Sequence, residues 1–295
     1  MPPSIFTKIN TGAAVAFCLL AAACTNTKDG SSPTTRPALE TLHKPQGTED
    51  SNELTLVISD AQAEHIGQLL WRNESGGTRD GLVAWNAGEE FPSLGIGHFI
   101  WYPEKYRGPF EESFPALVRY LSQNGVSVPA WLHGACPWPD RDTFLRIKNS
   151  HQVEELRSLL AASVGLQARF AADRLRAALP KILEATDPQL RDHVRSRFAA
   201  VYAIPHGLYA LMDYVNFKGE GVKPTERYQG HGWGLLQVLQ TMPHRPAQTD
   251  ASVIMADFSD AAWHVLERRI RLSPPERGEQ RWAAGWRNRC QTYRL

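Results

Sequence analysis

Glu74 stands in the run Trp71-Arg72-Asn73-Glu74-Ser75-Gly76-Gly77, and the run Ser93-Leu94-Gly95-Ile96-Gly97-His98 follows a short way on. The apolar spacing before Glu74 predicts that it sits on the last turn of an amphipathic helix. A carboxylate there faces the negative end of the helix dipole, which disfavours its ionised form. Apolar walls would raise its pKa further, and a raised carboxyl suits general-acid work near neutral pH. A Glu where a helix would prefer a cation calls for an explanation, and catalysis is the first to test against an exposed helix-end residue.

The elements that must position Glu74 are legible around it. Ser59-Asp60-Ala61-Gln62 is a capping-box pattern, and Ala63, Ile66, Leu69 and Leu70 repeat at helical spacing. The helix should run from Asp60 to Asn73 or Glu74 and stop at Gly76-Gly77. Leu82–Trp85, a turn at Asn86-Ala87-Gly88 and the run Phe91–Trp101 read as a small antiparallel sheet that ends at Pro103. Beyond it, apolar spacing predicts helices over Glu112–Gln123, Asp140–Lys148, Gln152–Leu179, Pro188–Tyr202, Leu208–Phe217, Gly232–Met242, Ser259–Ile270 and Arg277–Tyr293. The fold class expected is therefore α+β, mainly helical, with a small antiparallel sheet after the first helix.

The N-terminal portion reads differently. Lys8 and the apolar stretch Gly12–Ala23 resemble a signal peptide, too short for a permanent membrane span. Leu20-Ala21-Ala22-Ala23-Cys24 resembles a bacterial lipobox, with Ala21 where that pattern has Leu, which makes Cys24 the expected lipidation site. Plain secretion is the alternative. Residues 25–52 are rich in Thr, Ser, Pro, Gly and charge and read as a linker spanning roughly 30 Å. The expected destination is the periplasm or cell envelope, with a membrane partner through the anchor. Residues 53–295 form the expected globular domain.

Within that domain Cys136 and Cys290 are a candidate disulfide for an exported chain. No spacing suggests a zinc site, and no phosphate loop or dinucleotide fingerprint occurs, so neither a cofactor nor a nucleic-acid partner is expected. From Glu267 onward there are eight Arg against three Glu, read either as a solvated face or as a surface for an anionic polymer. Asp213, Lys218 and Glu220 read as a surface charge cluster. His98 reads as a structural hydrogen-bond or ion-pair partner.

A Glu at a helix end before a small sheet with a Gly-Ile-Gly-His turn closely resembles the phage-type lysozymes, or endolysins. Further similarity lies in Ala210–Gly221, in Gly234–Leu239 and in Gly285–Cys290, in the family's order. The resemblance covers Leu54–Pro103 and Gly207–Leu295, so 104–205 is expected to be a large helical insertion or a reshaped lobe. It implies a lysozyme-like fold that cleaves peptidoglycan glycan strands. Glu74 would be the general acid, and Ser93 takes the place of a Thr that helps position water.

The family's second carboxylate falls at Ala87 here, which puts the reaction in doubt. Glu89 or Glu90, at the rim of the same turn, are the substitutes, or else plain solvated residues. Lytic transglycosylases share the fold and can work with one Glu, often as Glu-Ser, like Glu74-Ser75. A wall-binding lipoprotein without activity also accounts for the missing Asp. Asn216 and Gly219 are expected either to end a helix or to form a cleft wall that binds sugar. Trp85, Trp101 and Trp233 are expected in the core, with one at most, Trp85 or Trp233, stacking on a sugar ring.

Overall fold

In the computed structural model, which describes residues 58–108 and 111–295, the first helix, α1, spans Asp60–Ser75. The capping box forms as the sequence predicts: Ser59 Oγ accepts from the Gln62 amide at 3.2 Å, and Gln62 Oε1 accepts from the Ser59 amide at 2.9 Å. Gly76 closes the helix in the left-handed region, at φ 62°. The expected signal peptide, Cys24 and the linker lie outside the described residues.

Three two-residue strands follow, β1 (Val83–Ala84), β2 (Ser93–Leu94) and β3 (Phe99–Ile100). They pair antiparallel in chain order, with Val83 opposite Leu94 and Ser93 opposite Ile100. Helices α2 (Phe114–Gln123), α3 (Arg141–Ile147), α4 (His151–Ala162), α5 (Val164–Glu184), α6 (Arg191–Tyr202) and α7 (Pro205–Lys218) come next. A hairpin of β4 (Arg227–Tyr228) and β5 (His231–Gly232) precedes α8 (Leu235–Thr241), α9 (Ala251–Leu272) and α10 (Ala283–Gln291). The chain is mainly helical with a small antiparallel sheet after the first helix, as expected.

One expectation for the middle of the chain is corrected. The single helix read over Gln152–Leu179 is broken at Ser163, whose Oγ bonds back to the Leu159 carbonyl at 2.8 Å. Its second half, α5, runs on through Pro180. The 104–205 segment, expected as a large insertion or a reshaped lobe, supplies α5, the principal packing partner of α1. The two helices approach so closely at Gly67 that a Cβ there would fall 2.5 Å from Val164 Cγ1. The buried face of α1 (Ala63, Ile66, Gly67 and Leu70) thus depends on this segment.

The expected disulfide is absent: Cys136 and Cys290 are both free and buried. Cys136 bridges to Pro103 beside the sheet, with its thiol toward the Trp138 carbonyl at 3.6 Å. Cys290 lies on α10 against α9, where its carbonyl accepts from Ser259 Oγ at 2.8 Å. Burial pushes both thiols up to about 12, so they behave as inert core groups.

Candidate active site

The C-terminal turn of α1 meets the last turn of α7 and the inner face of α10, and Glu74 sits where they converge. Its carboxylate is 7% exposed. Arg289 from α10 donates to Glu74 Oε1, and Asn216 from α7 donates to the same oxygen at 3.2 Å. His98 Nδ1 lies 3.3 Å from Oε2. His98 reaches it from the turn after β2, in the left-handed region at φ 47°. Gly95 shapes that turn at φ 71°, and there a Cβ would come 2.3 Å from Gln167 Oε1 of α5. That oxygen accepts the Ile96 amide at 3.0 Å, so the middle segment holds the His98 turn in place.

Arg289 is itself held from behind. Asp213 of α7, fully buried, accepts from Arg289 Nε and Nη2, both at 2.8 Å, and from the Tyr293 hydroxyl at 2.6 Å. Asn73 donates to Tyr209 at 2.5 Å and to Asp213 at 3.3 Å. The result is a buried Asp213–Arg289–Glu74 chain of two anions around one cation, a charge-assisted and bidentate arrangement.

This chain overturns the expected protonation of Glu74. Burial does push the carboxyl up, but Arg289 and His98, with hydrogen bonds from Arg289 and Asn216, outweigh it and hold it at about 2. The helix dipole contributes roughly 0.3–1 kcal/mol. A buried guanidinium in direct contact is the stronger influence by several kcal/mol. Burial also lowers the His98 pKa against the pull of Glu74, which leaves Arg289 as the cation responsible. Glu74 is a carboxylate throughout the neutral range.

Glu89 has the opposite character. It lies on the turn between β1 and β2, half-buried, with Asn86 Nδ2 at 3.1 Å and Ser93 Oγ at 3.4 Å from its Oε2. Burial pushes its pKa up to about 7 against those two hydrogen bonds, and the negative charge of Glu74 adds to the rise. Ser93, buried on β2, therefore bonds to Glu89. Glu90 is exposed, with no hydrogen bond or ion pair among the described residues.

Other expected site residues separate into those brought in and those left in the core. Asn216 reaches the centre, and Gly219 ends α7 at φ 80° just behind it, where its carbonyl accepts the Leu235 amide. Trp85 is buried, and its indole donates to the Glu89 carbonyl at 2.7 Å, so it supports Glu89 and offers no open face for stacking. Trp233 is buried under Arg269, 4.2 Å from its ring centre, and Trp101 is enclosed by Phe114, Trp131 and Trp138.

The expected surface cluster is corrected as well. Asp213 is internal, and Lys218 is buried with its amine 3.9 Å from the Phe217 ring centre and 3.7 Å from that of Trp286. Of the C-terminal arginines, Arg289 is buried and Arg269 half-buried in ion pairs, the latter doubly bonded to Glu279 at 2.8 Å. These two are structural cations, while Arg271, Arg281 and Arg287 are exposed.

Sequence reasoning missed Asp213 and Arg289 as site residues. The signal for Asp213 was its spacing to Asn216 on one helix, which puts a carboxylate and an amide on the same face one turn apart, and Arg289 lay within the Gly285–Cys290 run already singled out. Among the described residues no cluster of three or more His, Cys, Asp or Glu is arranged to hold a metal ion. Compared with known proteins, the chain matches no family model, no curated protein and no solved structure.

Proposed function

We propose that this chain is an exported, lysozyme-like glycosidase that cleaves the glycan strands of peptidoglycan with two carboxyls of divided protonation. The observation that carries the reading is the contrast in partners: Glu74 is held by the Arg289 cation and Asn216, whereas half-buried Glu89 has only the neutral donors Asn86 and Ser93, which pushes the two carboxyls apart in pKa. Neighbouring carboxyls with pKa values pushed apart define an acid and a charged partner. The roles differ from those implied by resemblance. Glu89 donates a proton to the glycosidic oxygen, and Glu74 remains ionised to stabilise the positive charge that develops on the sugar. Asn86 and Ser93 orient the Glu89 carboxyl, while Arg289 and Asn216 orient Glu74.

The helix-end Glu, the small sheet with its His turn and the arginine from the last helix support the lysozyme-like fold. The N-terminal lipobox-like run supports export with a lipid tether at Cys24. The single-carboxyl transglycosylase route needs Glu74 protonated at the outset, which Arg289 opposes.

Digestion of purified sacculi by wild type, Glu89→Gln and Glu74→Gln tests the reading. Wild type should release muropeptides with reducing ends, and each variant should lose activity by about 100-fold or more. Anhydro ends, with Glu89→Gln still active, would establish the transglycosylase instead. Binding of sacculi without release by any of the three would establish a non-catalytic wall-binding protein.

A further inference from the structure

A cavity of about 400 Å³ opens beside Glu89, walled by Trp85, Glu90, Lys105, Tyr106 and Arg141 among others; Glu74 does not line it. Its volume falls within the range of small-ligand sites. Tyr106 is one of the few large apolar side chains left exposed, at 36%. Its ring rests on that of Tyr102 at 5.6 Å between centres, and Tyr102 meets Phe91 edge-on at 5.3 Å. The loop beneath is pinned by Arg107, which donates to the carbonyls of Pro103 at 3.2 Å and Tyr106 at 2.7 Å. Tyr106 is thus a preorganised flat surface facing an open cavity. Arg141, another lining residue, is fixed by its bond to the Trp85 carbonyl at 2.9 Å, and Trp85 also holds the Glu89 backbone. Lys105 and Glu90, both exposed and without ion pairs, complete a polar rim.

An apolar ring surface edged by hydrogen-bonding groups of both signs fits a pyranose, which has apolar faces and a polar circumference. Its side of the site follows from the chemistry. A general acid sits against the leaving-group oxygen, and the charged carboxylate sits by the sugar that gains positive charge. A cavity walled by Glu89 and not by Glu74 is therefore on the leaving side. We propose that this cavity is the subsite for the leaving-group sugar, with Tyr106 as its stacking platform and Lys105, Glu90 and Arg141 as its polar rim. This assignment rests on the proposed role of Glu89.

The test compares wild type, Tyr106→Ala and Tyr106→Phe on soluble glycan strands and on a glycosyl fluoride, whose leaving group occupies no subsite. Tyr106→Ala should lower kcat/KM on strands about tenfold, Tyr106→Phe should not, and the fluoride should be turned over equally by all three. Equal losses on both substrates would make Tyr106 merely structural and overturn the subsite. If wild type cleaves neither substrate, the catalytic reading fails, and calorimetric binding of soluble glycan fragments decides the subsite alone. About tenfold weaker binding by Tyr106→Ala upholds it, and unchanged or undetectable binding by wild type and variant overturns it.

Discussion

Glu74 and Glu89 are chemically identical side chains whose proton affinities are pushed in opposite directions, and the difference lies in what stands next to each. Glu74 has a guanidinium in contact, an amide donor and an imidazole; Glu89 has two neutral donors, a desolvating wall and the field of Glu74. The activity that follows is one-sided in pH. Glycan cleavage should be full below about 7 and fall as pH rises through that value, as Glu89 loses its proton. The opposing limb, protonation of Glu74 near 2, lies below any working range. A pH profile of kcat/KM on soluble strands checks this. A profile that stays flat through 7 would show that Glu89 is not the acid.

Elements matter here by where they end. The last turns of α1 and α7 carry Glu74 and Asn216, and α10 carries Arg289 inward between them. The His98 turn is set by Gly95 against Gln167 of α5, a contact between parts of the chain with no local relation. Gly95→Ala places an L residue at positive φ and drives its Cβ into Gln167 Oε1. The expected cost is about 2 kcal/mol from left-handed strain together with the disturbed Ile96–Gln167 bond. A denaturant melt should register that loss, and strand cleavage should fall with it as His98 and Ser93 shift. A melt identical to wild type would mean that the turn relaxes freely and does not brace the site. The α1 helix, its caps and the sheet were readable because local spacing and capping residues determine them. The break at Ser163 was not, since apolar spacing runs on through it while a side chain takes up a backbone carbonyl.

Across the whole molecule, the two carboxyls give stability an unusual dependence on pH. The folded pKa of Glu74 is depressed from 4.5, so its contribution is present above 4.5 and lost as pH falls toward about 2. The folded pKa of Glu89 is raised from 4.5, so its contribution is complete below 4.5 and lost as pH rises through about 7. From these two groups stability should peak near pH 4.5 to 5. Thermal unfolding across pH 2.5–8 tests this: Glu74→Gln should flatten the acid side of the curve and Glu89→Gln the neutral side. An unchanged curve in either variant would remove that group from the account. The internal arginines belong to this scale too, because Arg269 and Arg289 neutralise buried Glu279, Asp213 and Glu74.

The mainly helical class, the small sheet behind the first helix and the pairing of a helix-end Glu with a Gly-His turn could all be read from the sequence. These rest on local periodicity, capping chemistry and turn residues, which act over a few positions. It placed Asn216 near Glu74 only through resemblance, and its reading of Cys136 with Cys290 failed because two buried thiols do not have to be neighbours. The ionisation of Glu74 follows from the folded arrangement, since the cation responsible is Arg289, brought in from the far end of the chain and locked by Asp213. A pKa depends on what lies within a few ångströms of the charge, and sequence distance carries no information about that.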